Sequence, residues 1–303
     1  MKVLITGGAG YIGYSAIKHL VKNDIVNEVV IYDNLSRKNT NLFLGSNFSY
    51  PAKVSFIHGD ILDGFNLEKA INGVDVLVHL AAVVSTPFAD SSAHKFDQVN
   101  NWGTSNLVRL VRKEDGINKF IHLSSMSVYG DTAGAIVNES HATSPKSFYG
   151  ASKLNAERHV MTIKKPTRTY ILRSANVFGY NPCVRLESVV NKFLFEAHYK
   201  GRIVVEGSGN QKRPFISIER IGKIISDVCT QDSITSGIHN ILSYNYSINE
   251  VVEKVKKVYT DLEVLFVDQH HSMRSTSASS SYINSDDQTI ESHIEYFKNQ
   301  FTF

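Results

Sequence analysis

The chain has 303 residues, of which 42% are hydrophobic and 20% charged, a balance typical of a globular protein rather than a disordered or fibrous one. Its 32 basic and 29 acidic residues leave a net charge of +3, which is too small to indicate a nucleic-acid-binding surface. The longest nearly apolar run, Val74–Val84, contains Asp75 and His79, so we expect neither a signal peptide nor a membrane span. These features predict a cytoplasmic protein with one large domain or two closely joined ones.

Short β-rich apolar runs alternate with amphipathic stretches through about residue 175. Such alternation predicts a parallel sheet with helices on both faces, which is a doubly wound, Rossmann-like α/β fold. The predicted strands are Lys2–Thr6, Glu28–Tyr32, Val54–His58, Val74–Leu80, Lys119–Ser124 and Arg168–Arg173.

After Asn176 the pattern loosens and predicts a smaller C-terminal α/β lobe that would bind the substrate. Further helices are predicted at Ser188–Tyr199, Ile218–Thr230, Ile248–Tyr259 and Gln288–Phe301, and further strands at Arg202–Glu206, Gly237–Ile241 and Glu263–Val267. We expect a first domain of residues 1–175 with about 213–242, and a second lobe of residues 176–212 with 243–303. The serine-rich run Ser275–Ser281 is typical of a solvated loop.

A glycine-rich turn follows the first predicted strand directly. Gly7, Gly10 and Gly13 have the spacing G-x-x-G-x-x-G and lead into a helical stretch. Without Cβ atoms the backbone can turn sharply and admit a pyrophosphate to its N–H groups, and the helix N-terminus adds a favourable dipole. Three glycines alone are often only a turn, but this position between strand and helix predicts a dinucleotide phosphate site.

Asp33 lies twenty residues after Gly13, at the end of the next predicted strand. A carboxylate at that position can accept both ribose hydroxyls of NAD and would repel the 2′-phosphate of NADP. The alternative is an ordinary surface aspartate, and Arg37 with Lys38 leaves some NADP binding open. We expect NAD to be preferred.

Tyr149 and Lys153 lie four residues apart at a predicted helix start, so their side chains share a face. A phenol has an unperturbed pKa of about 10, and a neighbouring ammonium lowers that pKa by stabilising the phenolate. In isolation such a pair is usually a surface contact. Here the strand Lys119–Ser124 also brings serine hydroxyls to the sheet edge where ligands bind, which favours a proton-transfer site.

Other ligand-type residues indicate little. Cys183 and Cys229 form neither a disulfide framework nor a paired zinc motif, so we expect two reduced thiols without a catalytic role. His270 and His271 have no ligand cluster beside them, and no metal is expected.

Together these motifs resemble the extended short-chain dehydrogenase/reductases, the NAD-dependent epimerase/dehydratase family. The resemblance runs in order from residue 2 to about residue 220. Its features are G-G-A-G-Y-I-G, Asp33, Gly59-Asp60-Ile61, His79-Leu80-Ala81-Ala82, Val99-Asn100 with Gly103-Thr104, S-S-M-S-V-Y-G, Y-G-A-S-K, and Arg173 with Asn176 and Gly179.

The resemblance implies an NAD-dependent enzyme in which Tyr149 is the general acid/base and Lys153 its electrostatic partner and ribose ligand. Ser125 is implied as hydrogen-bond donor to the reacting oxygen; Ser124 competes for this role, but Ser125 has the family's spacing, three residues before Val128. The implied cofactor-binding residues are Gly7, Gly10, Tyr11, Ile12, Gly13, Asp33, Asn34, Asp60, Ile61, Leu80, Ala81, Ala82 and Asn100, together with Tyr149 and Lys153.

Dehydratases and decarboxylases of this family carry acidic residues directly after the catalytic serine or threonine, whereas this chain has Met126 and Ser127. The closer resemblance is to UDP-glucose 4-epimerase-like enzymes, which implies inversion at C4 of a nucleotide sugar through a transient 4-keto intermediate. An NAD(P)H-dependent sugar-nucleotide reductase or dehydrogenase is the alternative. A non-catalytic NAD-binding regulator is a second one, although the intact Tyr149 and Lys153 count against it.

A nucleotide-diphosphate sugar is the implied partner, with Ser125, Asn176, Arg213 and Arg274 at the family's substrate-contacting positions. Both arginines have the alternative of being exposed loop residues. If Arg274 contacts a phosphate, Ser281 falls where some hexose epimerases carry a bulky aromatic residue, and a serine would leave room for an N-acetyl group. Relatives usually form homodimers through helices of the first domain, and we expect the same here.

Overall fold

The computed structural model describes residues 1–44, 53–84, 93–132, 134–164, 166–267, 275–280 and 288–303. Its strands are β1 (Lys2–Thr6), β2 (Glu28–Asp33), β3 (Val54–His58), β4 (Val76–His79), β5 (Lys119–Ser125), β6 (Ile136–Val137), β7 (Arg168–Ser174), β8 (Asn176–Phe178), β9 (Arg202–Glu206), β10 (Lys212–Ser217), β11 (Gly237–Ile241), β12 (Tyr244–Ser247), β13 (Glu263–Val267) and β14 (Ser277–Ala278).

The helices, again in chain order, are α1 (Tyr11–Leu20), α2 (Gly64–Ile71), α3 (Ala93–Phe96), α4 (Gly103–Val111), α5 (Phe148–Val160), α6 (Val189–Lys200), α7 (Ile218–Thr230), α8 (Ile248–Val258) and α9 (Ile290–Lys298). A π-helical stretch, Asp97–Trp102, joins α3 to α4. Short 3-10 turns occupy Asn41–Phe43 and Met126–Val128.

Within the described ranges, seven parallel strands form the central sheet in the order β11-β7-β5-β4-β1-β2-β3. The predicted doubly wound α/β fold is therefore confirmed. The chain leaves β1 towards β2 and β3, and later returns to place β4 on the other side of β1. Ligands bind at such a reversal of strand order, outside the carboxyl ends of the strands. Thr6 of β1 lies opposite His79 of β4 and marks this point.

Two hydrophobic clusters cover the two faces of this sheet. Val3 and Ile5 of β1 belong to one cluster, together with residues of α1 and α7, whereas Leu4 belongs to the other, together with residues of α2 and α4. Successive side chains of a strand point to opposite faces. Because both faces are covered, β1 has a continuous apolar sequence rather than an alternating one.

A third hydrophobic cluster draws its buried residues from positions 178–215 and 248–297. Phe178, Phe193, Phe215 and Phe297 are its largest side chains and are almost fully buried. Two small sheets, β12-β10-β8 and β13-β9, lie in the same part of the chain. We keep the predicted division into a first domain and a C-terminal lobe as a proposal that this third cluster supports.

The structure adds short elements that the sequence patterns did not predict, namely β6, β8, β10, β12 and β14. β8 has three residues and β10 contains Pro214, so neither has a strand-like pattern long enough to recognise. The prediction of a solvated loop for Ser275–Ser281 is wrong over its described part, because Thr276, Ser277 and Ala278 are buried. β14 pairs with β6, and Asn245 hydrogen-bonds both the N–H and the carbonyl of Ala278.

In the part of the chain that the structure describes, no helix has the length and apolar character needed to cross a membrane.

Candidate active site

A cleft of about 1500 Å³ opens where the strands of the central sheet end. The predicted site residues that line it are Gly7, Gly10, Tyr11, Ile12, Gly13, Asp33, Asn34, Asp60, Ile61, Leu80, Ala81, Ala82, Ser125, Tyr149, Lys153, Asn176 and Arg213. Arg274, Ser281 and the His270–His271 pair lie outside the described residues. No group of three His, Cys, Asp or Glu side chains among the described residues is arranged to hold a metal ion.

The glycine turn is shaped by two close approaches of the backbone. Gly7 has φ +72°, and a Cβ atom there would lie 2.5 Å from the backbone nitrogen of Ala81. A Cβ at Gly13 would lie 2.4 Å from the carbonyl oxygen of Gly8. A side chain fits at neither position, so the turn stays flat and α1 begins directly behind it, as a pyrophosphate site requires.

The carboxylate of Asp33 is fixed by two backbone N–H groups, one of them in the glycine turn. One carboxylate oxygen accepts the Ala9 N–H at 3.0 Å and the other accepts the Leu35 N–H at 2.8 Å. Burial raises the pKa of Asp33, and these two N–H bonds oppose the shift. Each oxygen retains a further lone pair, so the carboxylate fits the two ribose hydroxyls of NAD.

Asp60 is fixed at the end of the third strand by contacts with the second. Asn34 donates to its carboxylate at 2.8 Å, and the hydroxyl of Tyr32 donates to its carbonyl at 3.0 Å. The Leu62 N–H donates to the second carboxylate oxygen of Asp60 at 2.9 Å. Asn34, itself a lining residue, thus fixes the carboxylate of Asp60. The next residue, Ile61, is buried.

Tyr11 contributes in a way that its position in the glycine turn did not indicate. Its hydroxyl donates to the carbonyl of Gly179 at 2.5 Å, and Asn181 donates to its carbonyl at 2.8 Å. Both partners follow β8. Tyr11 therefore ties the glycine turn to the segment that leads into the C-terminal lobe.

Tyr149 and Lys153 share one face of α5, whose first turn is capped by the Ser147 hydroxyl accepting the Gly150 N–H at 3.1 Å. The side chain of Ser125 lies close enough to Tyr149 to lower the pKa of its phenol. The Ser125 hydroxyl oxygen also accepts the Ser127 N–H at 3.2 Å, which leaves its own proton free for donation.

The expectation that Lys153 lowers the pKa of Tyr149 is wrong for this arrangement. Burial raises the pKa of Tyr149, and the groups that oppose the shift are Ser125, by its hydrogen bond, and Arg185, by its charge. The Lys153 ammonium instead donates to the carbonyl of Leu123 at 2.8 Å. Burial lowers the pKa of Lys153 to about 8, and the charge of Glu157 works in the opposite direction.

Glu157 anchors a fully buried network beneath this pair. Arg173 donates two hydrogen bonds to its carboxylate, at 3.0 and 2.8 Å, and Ser124 donates a third. The hydroxyl of Tyr129 accepts from Arg173 at 2.9 Å and donates to Asn240 at 2.8 Å. Because Ser124 is bound to Glu157 while Ser125 contacts Tyr149, the geometry favours Ser125 as the hydroxyl at the reacting end of the cleft.

The cleft lining also contains Asn176, Arg213 and a residue that the motifs did not indicate, Arg185. Arg213 lies in β10 rather than in an exposed loop, and Asn176 donates to the Pro214 carbonyl at 3.0 Å. Burial lowers the pKa of Arg185, which lies 3.7 Å from a carboxylate oxygen of Glu187. Arg185 occupies no recognisable motif, so only its position beside Tyr149 draws attention to it.

The prediction that Asn100 lines the cofactor cleft is wrong as stated. Asn100 is buried behind the cleft wall, where its amide group exchanges hydrogen bonds with both the N–H and the carbonyl of Val83, at 2.8 and 2.9 Å. Val83 and Val99 line the cleft in its place. The amide group binds the backbone of Val83 and the hydroxyl of Ser152, so it supports the cleft wall without facing the cleft.

The two cysteines are buried, and burial raises the pKa of Cys183 to about 11 and that of Cys229 to about 12. Both thiols therefore stay protonated near neutral pH and are poor nucleophiles.

The doubly wound sheet and the cleft that brings the glycine turn together with Ser125, Tyr149 and Lys153 are those of an NAD-dependent enzyme of the extended short-chain dehydrogenase/reductase class. Residues 3–241 match the model of the NAD dependent epimerase/dehydratase family. The chain belongs to this family, and NAD is its cofactor.

Curated relatives include both epimerases and dehydratases. A protein of Methanocaldococcus jannaschii provisionally named UDP-glucose 4-epimerase is 32% identical over 230 residues, covering 73% of this chain and 71% of that protein. The dTDP-D-glucose 4,6-dehydratase of Mus musculus is 30% identical over 279 residues, covering 86% of this chain and 75% of that protein.

Solved structures resemble the whole chain. UDP-N-acetylglucosamine 4-epimerase from Methanobrevibacter ruminantium has a TM-score of 0.84 at 26% identity and covers 98% of this chain and 97% of its own. UDP-glucuronic acid 4-epimerase from Bacillus cereus, in complex with UDP-glucuronic acid and NAD, has a TM-score of 0.83 at 25% identity and covers 99% of this chain and 98% of its own. The chain is thus a nucleotide-sugar epimerase/dehydratase family member.

Proposed function

We propose that this chain is an NAD-dependent nucleotide-sugar epimerase that inverts C4 through a transient 4-keto intermediate. The observation that carries the proposal is that Ser125 and Tyr149 line the same cleft, with Met126 and Ser127 following Ser125 where dehydratases carry acidic residues. Met126 is buried and apolar. At the two positions directly after Ser125, the chain therefore offers no additional acid beside Tyr149.

Each carboxylate of the described cleft lining already has backbone N–H or basic side-chain partners. Asp33 and Asp60 lie at the nucleotide end, bound by backbone N–H groups. Glu187 lies near Arg185 and Arg37, and Glu206 near Lys192, at 3.7 to 3.9 Å. None is left to assist elimination of water, which supports epimerisation over dehydration.

The residues that would hold NAD are the glycine turn, Asp33 at the ribose, Asp60 with Ile61 at the adenine, and Lys153 at the second ribose. When bound, NAD supplies the reversible two-electron oxidation of a carbinol carbon. The protein side of the reaction is the movement of one proton, which we assign to Tyr149.

Tyr149 would accept the proton of the sugar hydroxyl and later return it to the same oxygen. Burial raises the pKa of the phenol, so deprotonation depends on nearby donors and positive charge. Ser125 can donate a hydrogen bond to the developing phenolate or to the sugar oxygen. Lys153, with a pKa of about 8, keeps its proton at neutral pH.

For the substrate, we propose that Asn176, Arg213 and Arg185 contact the anionic part of a nucleotide-diphosphate sugar. All three line the sugar side of the cleft. A guanidinium that lines a partly buried cleft suits phosphate or carboxylate oxygens. Arg274 and Ser281 lie outside the described ranges. A phosphate contact for Arg274 and room for an N-acetyl group at Ser281 stay predictions from the sequence.

A homodimer is proposed as well. Trp102 and Phe148, at the starts of α4 and α5, are 64% and 54% exposed, and Met161 at the end of α5 is 54% exposed. Exposed large apolar side chains on α5 and beside the start of α4 favour association. Light scattering at several protein concentrations tests this, and a monomer at all of them would refute it.

The reaction is tested with UDP-glucose and UDP-N-acetylglucosamine deuterated at C4. An epimerase returns the abstracted deuterium to the same carbon, so the inverted product should keep its label while the absorbance of reduced nicotinamide shows no steady growth. Stoichiometric formation or consumption of reduced cofactor would establish the dehydrogenase or reductase alternative. A label moved to C6 would establish dehydratase chemistry.

A further inference from the structure

Two residues of the family-type motifs have no part in the function proposed above. His79 ends β4 beside the glycine turn, and Thr104 lies in the first turn of α4. Both side chains are almost completely buried, at 1% and 0% exposure. A buried polar group needs a hydrogen-bond partner, so their contacts indicate what they do.

The hydrogen bonds of these residues determine which ring nitrogen of His79 carries the proton. Thr104 donates its only hydroxyl proton to the carbonyl of Asn100 at 2.6 Å. Thr104 can therefore only accept at its 2.9 Å contact with Nε2 of His79, which makes Nε2 the protonated nitrogen. Nδ1 then accepts the hydroxyl proton of Thr6 at 2.7 Å.

The same reasoning extends the chain of bonds from Asn100 to the catalytic helix. Asn100 uses one amide proton for the Val83 carbonyl and gives the other to the Ser152 hydroxyl at 3.0 Å. Ser152 donates in turn to the carbonyl of Tyr149 at 2.8 Å. Every donor in this series has one acceptor.

We propose that His79 is a positioning residue whose Nε2–H tautomer links the strand end before the glycine turn to the backbone of Tyr149, through Thr104, Asn100 and Ser152. The link sets the distance between the cofactor cleft and the first turn of α5. It rests on the proposed role of Tyr149 only for its effect on catalysis. The bonds themselves are a property of the chain.

Two further observations support a fixed rather than a switching arrangement. Burial, together with the charge of Lys153, lowers the pKa of His79 to about 3, so the ring stays neutral at working pH. Asn100 lies in the π-helical stretch Asp97–Trp102, a local widening that is frequent at functional sites.

The tautomer is tested by nitrogen-15 NMR of the NAD-loaded protein, with His79→Leu used to assign the signal. We expect the proton on Nε2 and no titration between about pH 5 and 9. A proton on Nδ1, or titration within that range, would overturn the inference without reference to any enzymatic activity.

The positioning role is tested at Thr104. Thr104→Val keeps the shape of the side chain but leaves the His79 N–H without an acceptor, whereas Thr104→Ser keeps the hydroxyl. We expect Thr104→Val to reduce kcat about tenfold, corresponding to about 1.4 kcal/mol, with KM within about twofold, and Thr104→Ser to restore most of the rate. Equal rates for the two variants would contradict the proposal.

His122 provides a matched control for the loss of a buried ring. It packs against His79 with 5.3 Å between ring centroids, and neither ring nitrogen has a hydrogen-bond partner in the part of the chain that is described. We expect His79→Leu to reduce kcat about tenfold or more and His122→Leu to leave it within about twofold. A similar loss in both variants would show that only packing matters.

Hydrogen exchange separates this inference from the proposed function. The Val83 N–H is bound by Asn100, so Thr104→Val should accelerate its exchange about tenfold relative to Thr104→Ser, again about 1.4 kcal/mol. If no nucleotide sugar is converted, the proposed function fails. The exchange rate of the Val83 N–H and the tautomer of His79 still test the positioning role independently. Unchanged exchange at Val83 would refute the link.

Discussion

The two ends of the cleft are built differently: the nucleotide side, proposed to bind NAD, and the sugar side, proposed to bind the nucleotide sugar. On the nucleotide side, Gly7, Asp33 and Asp60 each lie at or just after the end of a parallel strand, and their contacts come mainly from neighbouring turns. On the sugar side, Asn176 and Arg213 are brought together by strands β8 and β10 pairing across a long stretch of chain, and Arg185 lies in the segment between them. The first side is local in sequence, and the second depends on how the lobe packs.

This difference suggests that the cofactor and the sugar can be perturbed independently. A change on the nucleotide side should alter binding of NAD with little effect on the sugar, and the reverse should hold for the sugar side. Tyr149 and its supporting network lie between the two sides, and changes there should affect turnover most.

The largest effect is expected for Tyr149→Phe. The change removes the proton-transfer group but keeps the ring, so turnover should fall by about a thousandfold or more while the Kd for NAD stays within about twofold. Lys153→Ala is the comparison, and it should lose both activity and cofactor affinity. A Tyr149→Phe rate above about a tenth of the wild-type rate would remove Tyr149 from its assigned role.

Glu157→Gln should cause the next largest effect, on stability. It leaves the buried Arg173 without its full counter-charge, which costs about 3–5 kcal/mol in the free energy of unfolding. Glu157 also raises the pKa of Lys153, so its neutralisation should lower that pKa below about 8 and shift the alkaline decline of activity to lower pH.

Ser124→Ala is the matched control for Glu157→Gln, because it removes only one neutral donor from the same carboxylate and should cost about 1 kcal/mol. Urea unfolding and pH–rate profiles measure the two effects. An alkaline decline that does not move in Glu157→Gln would show that Lys153 does not determine it.

Asp33→Ser tests the nucleotide side alone. Removal of the carboxylate should relieve repulsion of the 2′-phosphate and narrow the preference for NAD over NADP by about tenfold or more. Because Asp33 also accepts the Ala9 and Leu35 N–H groups, Asp33→Asn serves as a control that keeps an acceptor oxygen. Equal calorimetric affinities of the unmodified protein for both cofactors would disprove the preference.

The smallest of these effects is expected on the sugar side. Arg185→Gln should raise KM for the nucleotide sugar about tenfold and leave the Kd for NAD unchanged, with a smaller fall in kcat because the Arg185 charge also lowers the pKa of Tyr149. Arg37→Gln is the control, since Arg37 also lies near Glu187 but at the nucleotide end of the cleft. A weakened NAD affinity in Arg185→Gln would show that the two sides are not independent.

Sequence patterns were most successful where one short segment contains both a strand and the turn that it positions. β1, β3, β9, β11 and β13 begin and end where their apolar runs predicted. Patterns failed for the run Ser275–Ser281, which is polar in composition yet forms the buried strand β14 over its described part. Distant Asn245 satisfies that backbone, and no local signal could indicate this.

The same limit applies to side chains that were correctly selected but given the wrong contacts. Asn100 belongs to a recognisable motif, yet its amide binds Val83 behind the cleft wall. Lys153 has the expected spacing from Tyr149, yet its ammonium binds the carbonyl of Leu123 and burial dominates both pKa values. Spacing on a helix predicts which side chains share a face, whereas burial and competing partners decide their charge.

The sequence by itself therefore determined the doubly wound sheet, the glycine turn and the Tyr149–Lys153 pair, because each depends on backbone conformation and contacts within a few residues. Tertiary structure alone decided the binding of Ser124 to Glu157, the place of Arg185 in the cleft and the tautomer of His79. Those outcomes depend on which of several competing hydrogen-bond partners a folded chain brings within reach, and on how much water burial removes from each group.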